Sequence, residues 1–297
     1  MSGRRASAVS ACALLVGLVA AAGVLHAGDV RYPATPETEG LLYVRSPGAA
    51  RRLALSFKGL AADVYWMRTI QHFGRDLRSN RATGRFELLQ PLLDLTTGLD
   101  PHFNIVYRFG AMFLALPPPS GPGRVDQAVA LLEKGLQASP GRWQYAYDIG
   151  FVYYLYAHDY HTAGTWFTRA AAMPGAPDWI RPLAAETVAR GGDRADARRL
   201  LAELLTSDQE YLRQDARRGM AQIDALDAID QLQRLVEDYR TAEHAYPSSW
   251  SDLIRTRRLP GIPADGARVP FVYDPAAHVV SIDSRSPLAP LPTALGR

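Results

Sequence analysis

Between residues 143 and 174 the apolar positions fall twice into helical spacing around a polar turn. Ile149, Gly150 and Tyr153 belong to a first run. Ala163, Phe167 and Ala170, four and three residues apart, share one face of a second. The polar tetrapeptide His158-Asp159-Tyr160-His161 lies between the runs, and Pro174 stops the second. The pattern predicts two facing helices. Gly150 and Ala163 are small enough to let the backbones approach, and Tyr153 and Phe167 fill the space on either side.

The same spacing recurs along the chain. Pro140 precedes Pro174 by 34 residues, and Ala197 and Leu201 follow Ala163 and Phe167 by 34. Ala128, Leu132 and Gly135 repeat the small–large–small face upstream. Pro101 precedes Pro140 by 39, and the excess falls in the Pro- and Gly-rich loop 117–123. A helix–turn–helix unit of about 34 residues is the tetratricopeptide (TPR) period. The expected units run from Phe103 to Pro140, Trp143 to Pro174, and Trp179 to about Thr206, with Gly191-Gly192 as the turn of the third.

On each side of these units the pattern is looser. Leu53, Leu55, Phe57, Leu60, Val64, Met67, Ile70 and Phe73 make a broad stripe over 48–75, expected to cover one end of the repeats. A helix lying on a membrane is the other reading of that stripe. A polar break at 76–84 precedes a helix at 86–97. Helices are expected at 207–221 and 224–240. A short helix after Ser248 or Ser249 follows, then a small hairpin formed by 271–273 and 279–282. The fold expectation is all-α: a TPR-like helical-repeat solenoid with an N-terminal membrane or signal helix and a small C-terminal α+β module. The expected divisions are a leader at 1–27, a linker at 28–47, a repeat domain at 48–221, a long helix with the module at 222–286, and a flexible tail at 287–297.

Charge and targeting narrow the setting. Arg4 and Arg5 precede an apolar run from Ala8 to Leu25 that carries no charge. It reads as a cleaved signal peptide or as a retained anchor, and either places the rest of the chain outside the cytoplasm. The expected location is periplasmic, held to the inner membrane by the N-terminal helix. Cys12, inside that run, is the only cysteine, so no intramolecular disulfide forms. Lys58 and Lys134 are the only lysines, but 30 acidic residues nearly balance 33 basic ones. That balance argues against a nucleic-acid partner.

Residues 86–206 resemble TPR arrays of bacterial envelope proteins, through Gly150, Tyr153, Ala163, Phe167, Ala170 and Pro174. Residues 48–297 as a whole look like a group of uncharacterised exported TPR proteins, through FKGLAADVYWMRTIQHFG, LLDLTTGLDPHFNIVYRFG and TWFTRAA. The C-terminal segment is similar in layout to the globular end of type II secretion pseudopilins. The resemblance runs from a long helix through Tyr246-Pro247, Asp252-Leu253, Leu259-Pro260, Asp265-Gly266 and 270–273. It implies calcium at Asp265, Asp274 and Asp283. The chain lacks a prepilin leader, which separates it from pilin subunits.

No nucleophile elbow, P-loop, dinucleotide fingerprint or zinc-protease motif appears in the sequence. His158, Asp159 and His161 have metal-ligand spacing but no third strong ligand nearby, so they are expected to be turn residues. No catalytic residue, metal or cofactor is expected. The first helix of each TPR unit lines the concave face, and projecting that position places Ile105, Arg108, Met112, Gln144, Tyr147, Phe151, Tyr154, Trp179 and Glu186 there. Aromatic residues and Arg favour binding hot spots. The functional expectation is therefore a non-enzymatic scaffold that holds a partner protein's peptide in this groove. The alternative is an accessory or regulatory component of a secretion, pilus or glycan-assembly machine at the inner membrane.

Overall fold

Ser46 caps the first helix of the main described region, where its Oγ accepts from the Ala49 amide at 3.5 Å. The computed structural model describes residues 46–79 and 85–293, with Leu15 and residues 17–19. Most of the expected leader and linker therefore lies outside the described residues. Among the described residues, no helix is long and apolar enough to cross a membrane.

The described chain is mostly helical, with one small sheet. It divides into two compact units, Met1–Asp100 and Pro101–Arg297. That division falls inside the 48–221 span expected as a single repeat domain.

In the first unit, α1 (Pro47–Leu53) and α2 (Lys58–Arg78) both pack on α3 (Leu89–Leu99). The stripe expected as one helix over 48–75 is broken at residues 54–57, where Leu55 adopts a left-handed φ of 48°. That conformation costs a leucine about 1–2 kcal/mol. Gly98 lets α1 reach α3, since a Cβ there would sit 2.6 Å from Pro47 Cβ. The helix expected from Phe86 starts three residues later, because Phe86 is also left-handed, at φ 61°. Its amide donates to Asp76 Oδ2 at 2.5 Å, and its ring packs on Phe73 at 5.4 Å between centroids. Thr96 and Thr97 are buried in α3 because their hydroxyls donate back to the Leu92 and Leu93 carbonyls at 2.7 and 2.8 Å.

The second unit runs through α4 (Asn104–Ala115), α5 (Val125–Ala138), α6 (Trp143–Val152), α7 (Tyr160–Ala171), α8 (Ile180–Arg190), α9 (Arg194–Leu204) and α10 (Glu210–Glu243). Each of these helices packs on the next. A π-helical turn, Tyr153–Ala157, extends α6, and His158 closes it with a left-handed φ of 54°. Asp159 caps α7 by accepting from the Thr162 amide at 3.0 Å.

Helices α6 and α7 run in opposite directions. Tyr147 meets Phe167 at 5.3 Å, whereas Tyr154, later in the chain, meets the earlier Tyr160 at 5.2 Å. Helices α7 and α8 also run oppositely. A Cβ on Gly164 would lie 2.7 Å from Val188 Cγ2, and one on Gly191 would lie 2.8 Å from the His161 amide nitrogen. Ala163, Phe167, Ala170, Ile180 and Ala184 form the buried centre of this stretch.

The two helices expected at 207–221 and 224–240 form one 34-residue helix, α10. Its early turns bury Ala216 and Ile223 among Ala185, Ala189, Ala197 and Leu201. Its later turns bury Ala225, Leu232, Val236 and Tyr239 in a second core with Leu253, Phe271, Val280 and Leu288. Between them, Arg194 bonds Asp227 and Asp230 at 2.7 and 2.6 Å, and Arg198 bonds Asp224 and Asp227 at 2.6 and 2.7 Å.

The C-terminal module adds α11 (Trp250–Arg255) and the antiparallel pair β1 (Val272–Asp274) and β2 (Val279–Ser281), with Tyr273 opposite Val280. Gln233 of α10 holds this hairpin, donating to the His278 carbonyl at 2.8 Å and accepting from the Val280 amide at 3.0 Å. The expected flexible tail from 287 is instead packed as far as it is described, to Thr293. Leu288 enters the second core, and Gln222 donates to the Leu288 and Pro290 carbonyls at 2.8 and 3.0 Å.

Candidate functional site

The residues expected to line a groove come from α4, α6, the π turn and the start of α8. Two of them, Phe151 and Trp179, converge on a third, Tyr147 of α6. Its ring lies 6.3 Å from Phe151, 5.5 Å edge-on from Trp179, and 5.3 Å from the core residue Phe167. Trp143 adds a fourth ring at 6.2 Å. The layer follows from sequence spacing, since Trp143, Tyr147 and Phe151 recur every four residues on one helical face. Tyr147 and Phe151 are half-buried, whereas Trp179 keeps 45% of its surface exposed. Ile105 and Phe109 of α4 are likewise 45% and 52% exposed.

Tyr154 takes a different role. Its hydroxyl accepts from Arg190 Nη1 at 2.6 Å, and the Arg190 guanidinium lies over its ring at 5.4 Å. Arg190 also bonds Glu186 at 3.2 Å. Tyr154 and Glu186 are thus tied to the α8 C-terminal end. Met112 and Gln144 are half-buried on α4 and α6, outside the ring contacts.

Arg108 was expected on the concave face. Its Nε and Nη2 donate to Asp148 Oδ2 and Oδ1 at 2.5 and 2.9 Å. The Asp148 side chain is 7% exposed and that of Arg108 is 39% exposed. Burial pushes the Asp148 carboxyl up, opposed by the Arg108 guanidinium, while the hydrogen bond to Asp148 raises Arg108. Such a bidentate pair fixes geometry as well as charge. Burial pushes the Tyr147 phenol up, so it stays protonated at neutral pH.

Sequence reading missed Asp148, Arg190 and Phe109. Two of them carried a signal. Asp148 follows Arg108 by 40 residues and Arg190 follows Tyr154 by 36, each close to one period of the repeat pattern. Both bonds therefore join a helix to the corresponding helix of the next pair. A polar residue at repeat spacing from its partner, on an otherwise apolar face, is the clue that was available.

The other chemical candidates do not assemble. Asp159 is a helix cap, and His158 ends the π turn. Asp265 accepts from the Ala267 and Val269 amides, both at 2.9 Å, and from Ser286 Oγ. Asp274 accepts from the Ala276 amide at 2.8 Å, and Asp283 pairs with Arg285 at 2.6 Å. Asp274 and Asp283 pin their own turns, Asp265 ties its turn to Ser286, and among the described residues no three His, Cys, Asp or Glu side chains gather as a metal site. No protein-family model, curated protein or solved structure matches this chain.

Proposed function

We propose that the chain is a non-enzymatic scaffold of the bacterial cell envelope, built on TPR-type helical pairs, that holds a segment of a partner protein. Sequential packing of α4 to α9 supports the repeat reading, as does the 34-residue spacing of Pro140 and Pro174. One observation carries the functional reading. Trp179 stands half-exposed against the edge of a well-packed aromatic layer, and Ile105 and Phe109 are also exposed on α4. Rigid, partly exposed aromatic residues on a packed base supply contact area at low entropic cost. In this reading the apolar run at 8–25 exports the chain and holds it at the inner membrane.

A second reading, an accessory part of a secretion, pilus or glycan-assembly machine, draws on the C-terminal module. There a long helix lies on a small antiparallel hairpin through Gln233, a layout similar to the pseudopilin globular end.

Site-specific photocrosslinking in native membranes tests the scaffold reading. A photoreactive residue at position 179 should give one dominant adduct of discrete mass, and Phe109→Ser should abolish it while leaving the circular dichroism unchanged. Position 165 is exposed on α7 and serves as the control. The same adducts from position 165, or none from 179, would remove the groove as a binding site.

A further inference from the structure

The most exposed apolar surface among the described residues lies in the first unit. Leu53, Leu55, Phe57 and Leu60 are 70%, 73%, 70% and 63% exposed. The break between α1 and α2 turns all four outward. Leu55 is left-handed there, and the loop closes through Phe57 N to Ala54 O at 2.7 Å and Ala61 N to Phe57 O at 3.0 Å.

The surface continues along α2. Leu60, Met67, Ile70 and Leu77 are all exposed, and their spacing of seven, three and seven puts them on one helical face. The opposite face carries Ala62, Tyr65, Thr69, His72 and Phe73, all buried. Helix α2 is therefore apolar on two sides, only one of which is covered. The open stripe is roughly 25 Å long at 1.5 Å rise per residue.

The charge at the α1–α2 corner is mainly basic, and one exposed carboxylate, Asp63, lies further along on the open face of α2. From Arg51 to Leu60, the stretch that forms the corner, the chain carries Arg51, Arg52 and Lys58 and no acidic residue. Arg51, Arg52 and Lys58 are exposed beside the apolar corner. Apolar side chains that protrude from a helix junction beside three exposed cations match a lipid interface. The apolar part enters the acyl boundary, and the cations meet acidic headgroups. A protein partner would need a complementary hollow for four protruding side chains as well as an acidic border, whereas a fluid interface adapts to any shape.

We infer that the α1–α2 corner, with Leu53, Leu55, Phe57 and Leu60 beside Arg51, Arg52 and Lys58, docks on an anionic phospholipid surface. This contact is additional to any made by the apolar run at 8–25. It would lay the first unit against the bilayer.

The test uses the full chain with Cys12→Ser and Phe57→Cys, the latter labelled with an environment-sensitive fluorophore. A second sample carries the label through Ala202→Cys, an exposed α9 position. With vesicles containing phosphatidylglycerol, emission at position 57 should rise several-fold and be quenched by doxyl-lipids. The label at 202 should stay water-like in the same vesicles. Vesicles of phosphatidylcholine alone, about 0.5 M salt, or Arg51→Glu/Arg52→Glu/Lys58→Glu should each remove most of the rise. A label at 57 that stays water-like with every lipid overturns the inference and leaves the corner to a protein. An equal rise with phosphatidylcholine alone, unchanged in the charge variant, overturns it too.

Discussion

Gly150 lies flat against the ring of Phe167. A Cβ at position 150 would come within 2.7 Å of Cδ1 and 2.8 Å of Cε1 of that ring, and 3.2 Å from the Ala163 carbonyl oxygen. The absence of a side chain at 150 is what allows α6 and α7 to meet. Gly150→Ala should therefore cost about 1–3 kcal/mol through overpacking. Gly74, inside α2, has nothing within 4 Å of its missing Cβ. Gly74→Ala should raise stability by about 0.5–1 kcal/mol, because alanine loses less backbone entropy in a helix. Urea unfolding of both variants checks the pair, and equal effects would contradict the packing described.

Arg108→Met should leave the Asp148 carboxylate buried beside an apolar side chain. The expected cost is about 1–3 kcal/mol, reduced from that of a fully buried pair because Arg108 is partly exposed. Burial already raises the Asp148 pKa, and losing Arg108 removes the opposing influence. An acid with a raised folded pKa favours folding most below its unfolded pKa and loses that contribution as pH rises through the folded value. The penalty of Arg108→Met should therefore be largest at neutral pH and shrink on acidification. Arg108→Met with Asp148→Leu should recover most of the loss, as seen by thermal unfolding at several pH values.

His72 is 3% exposed and lies 3.5 Å from Asp76, with Arg75 three residues further along α2. Burial lowers its pKa, and Asp76 only partly offsets this. A group with a depressed folded pKa contributes stability above its unfolded value, near 6.5, and loses it as pH falls toward the folded value. Hydrogen exchange of α2 and α3 amides should therefore accelerate as pH drops below about 6.5, after correction for intrinsic rates. His72→Leu should flatten that dependence. An unchanged profile in the variant would assign the effect to another group.

Asp283 is held down to about 2 by its hydrogen bonds with Arg285. Its contribution is complete above the unfolded carboxyl value, about 3.9, and disappears as pH falls toward the folded value. Asp283→Asn should melt lower than the parent at pH 6, and the two should converge by about pH 2. A difference in melting temperature that persists in acid would show that the loop is held by something other than that charge.

The helical character of the chain and the close approach of α6 to α7 at Gly150 and Ala163 were legible because both depend on local spacing, whereas the seating of the Phe167 ring directly on Gly150 was not. The hairpin was legible as well, through β-rich residues on either side of Asp274-Pro275. The break at 54–57 was not, because a leucine in the left-handed region leaves no mark in the residue pattern. Nor was the continuity of α10. Its buried positions shift from Leu212, Ala216 and Ile223 to Ala225, Leu232, Val236 and Tyr239, so one helix reads as two amphipathic segments out of phase. Of the expected groove residues, Tyr147, Phe151 and Trp179 come together. Arg108 and Tyr154 are claimed by Asp148 and Arg190, partners a whole period away that a local window does not contain.

Helix α10 serves two cores with one unbroken backbone, so it acts as a rigid strut roughly 50 Å long. Melting its middle turns would withdraw Ile223 from one core and Ala225 from the other in the same event. The terminal module cannot swing as a pendant on a hinge. A force applied to the hairpin arrives as torque at Arg194 and Arg198, where the strut is bolted to the preceding helix.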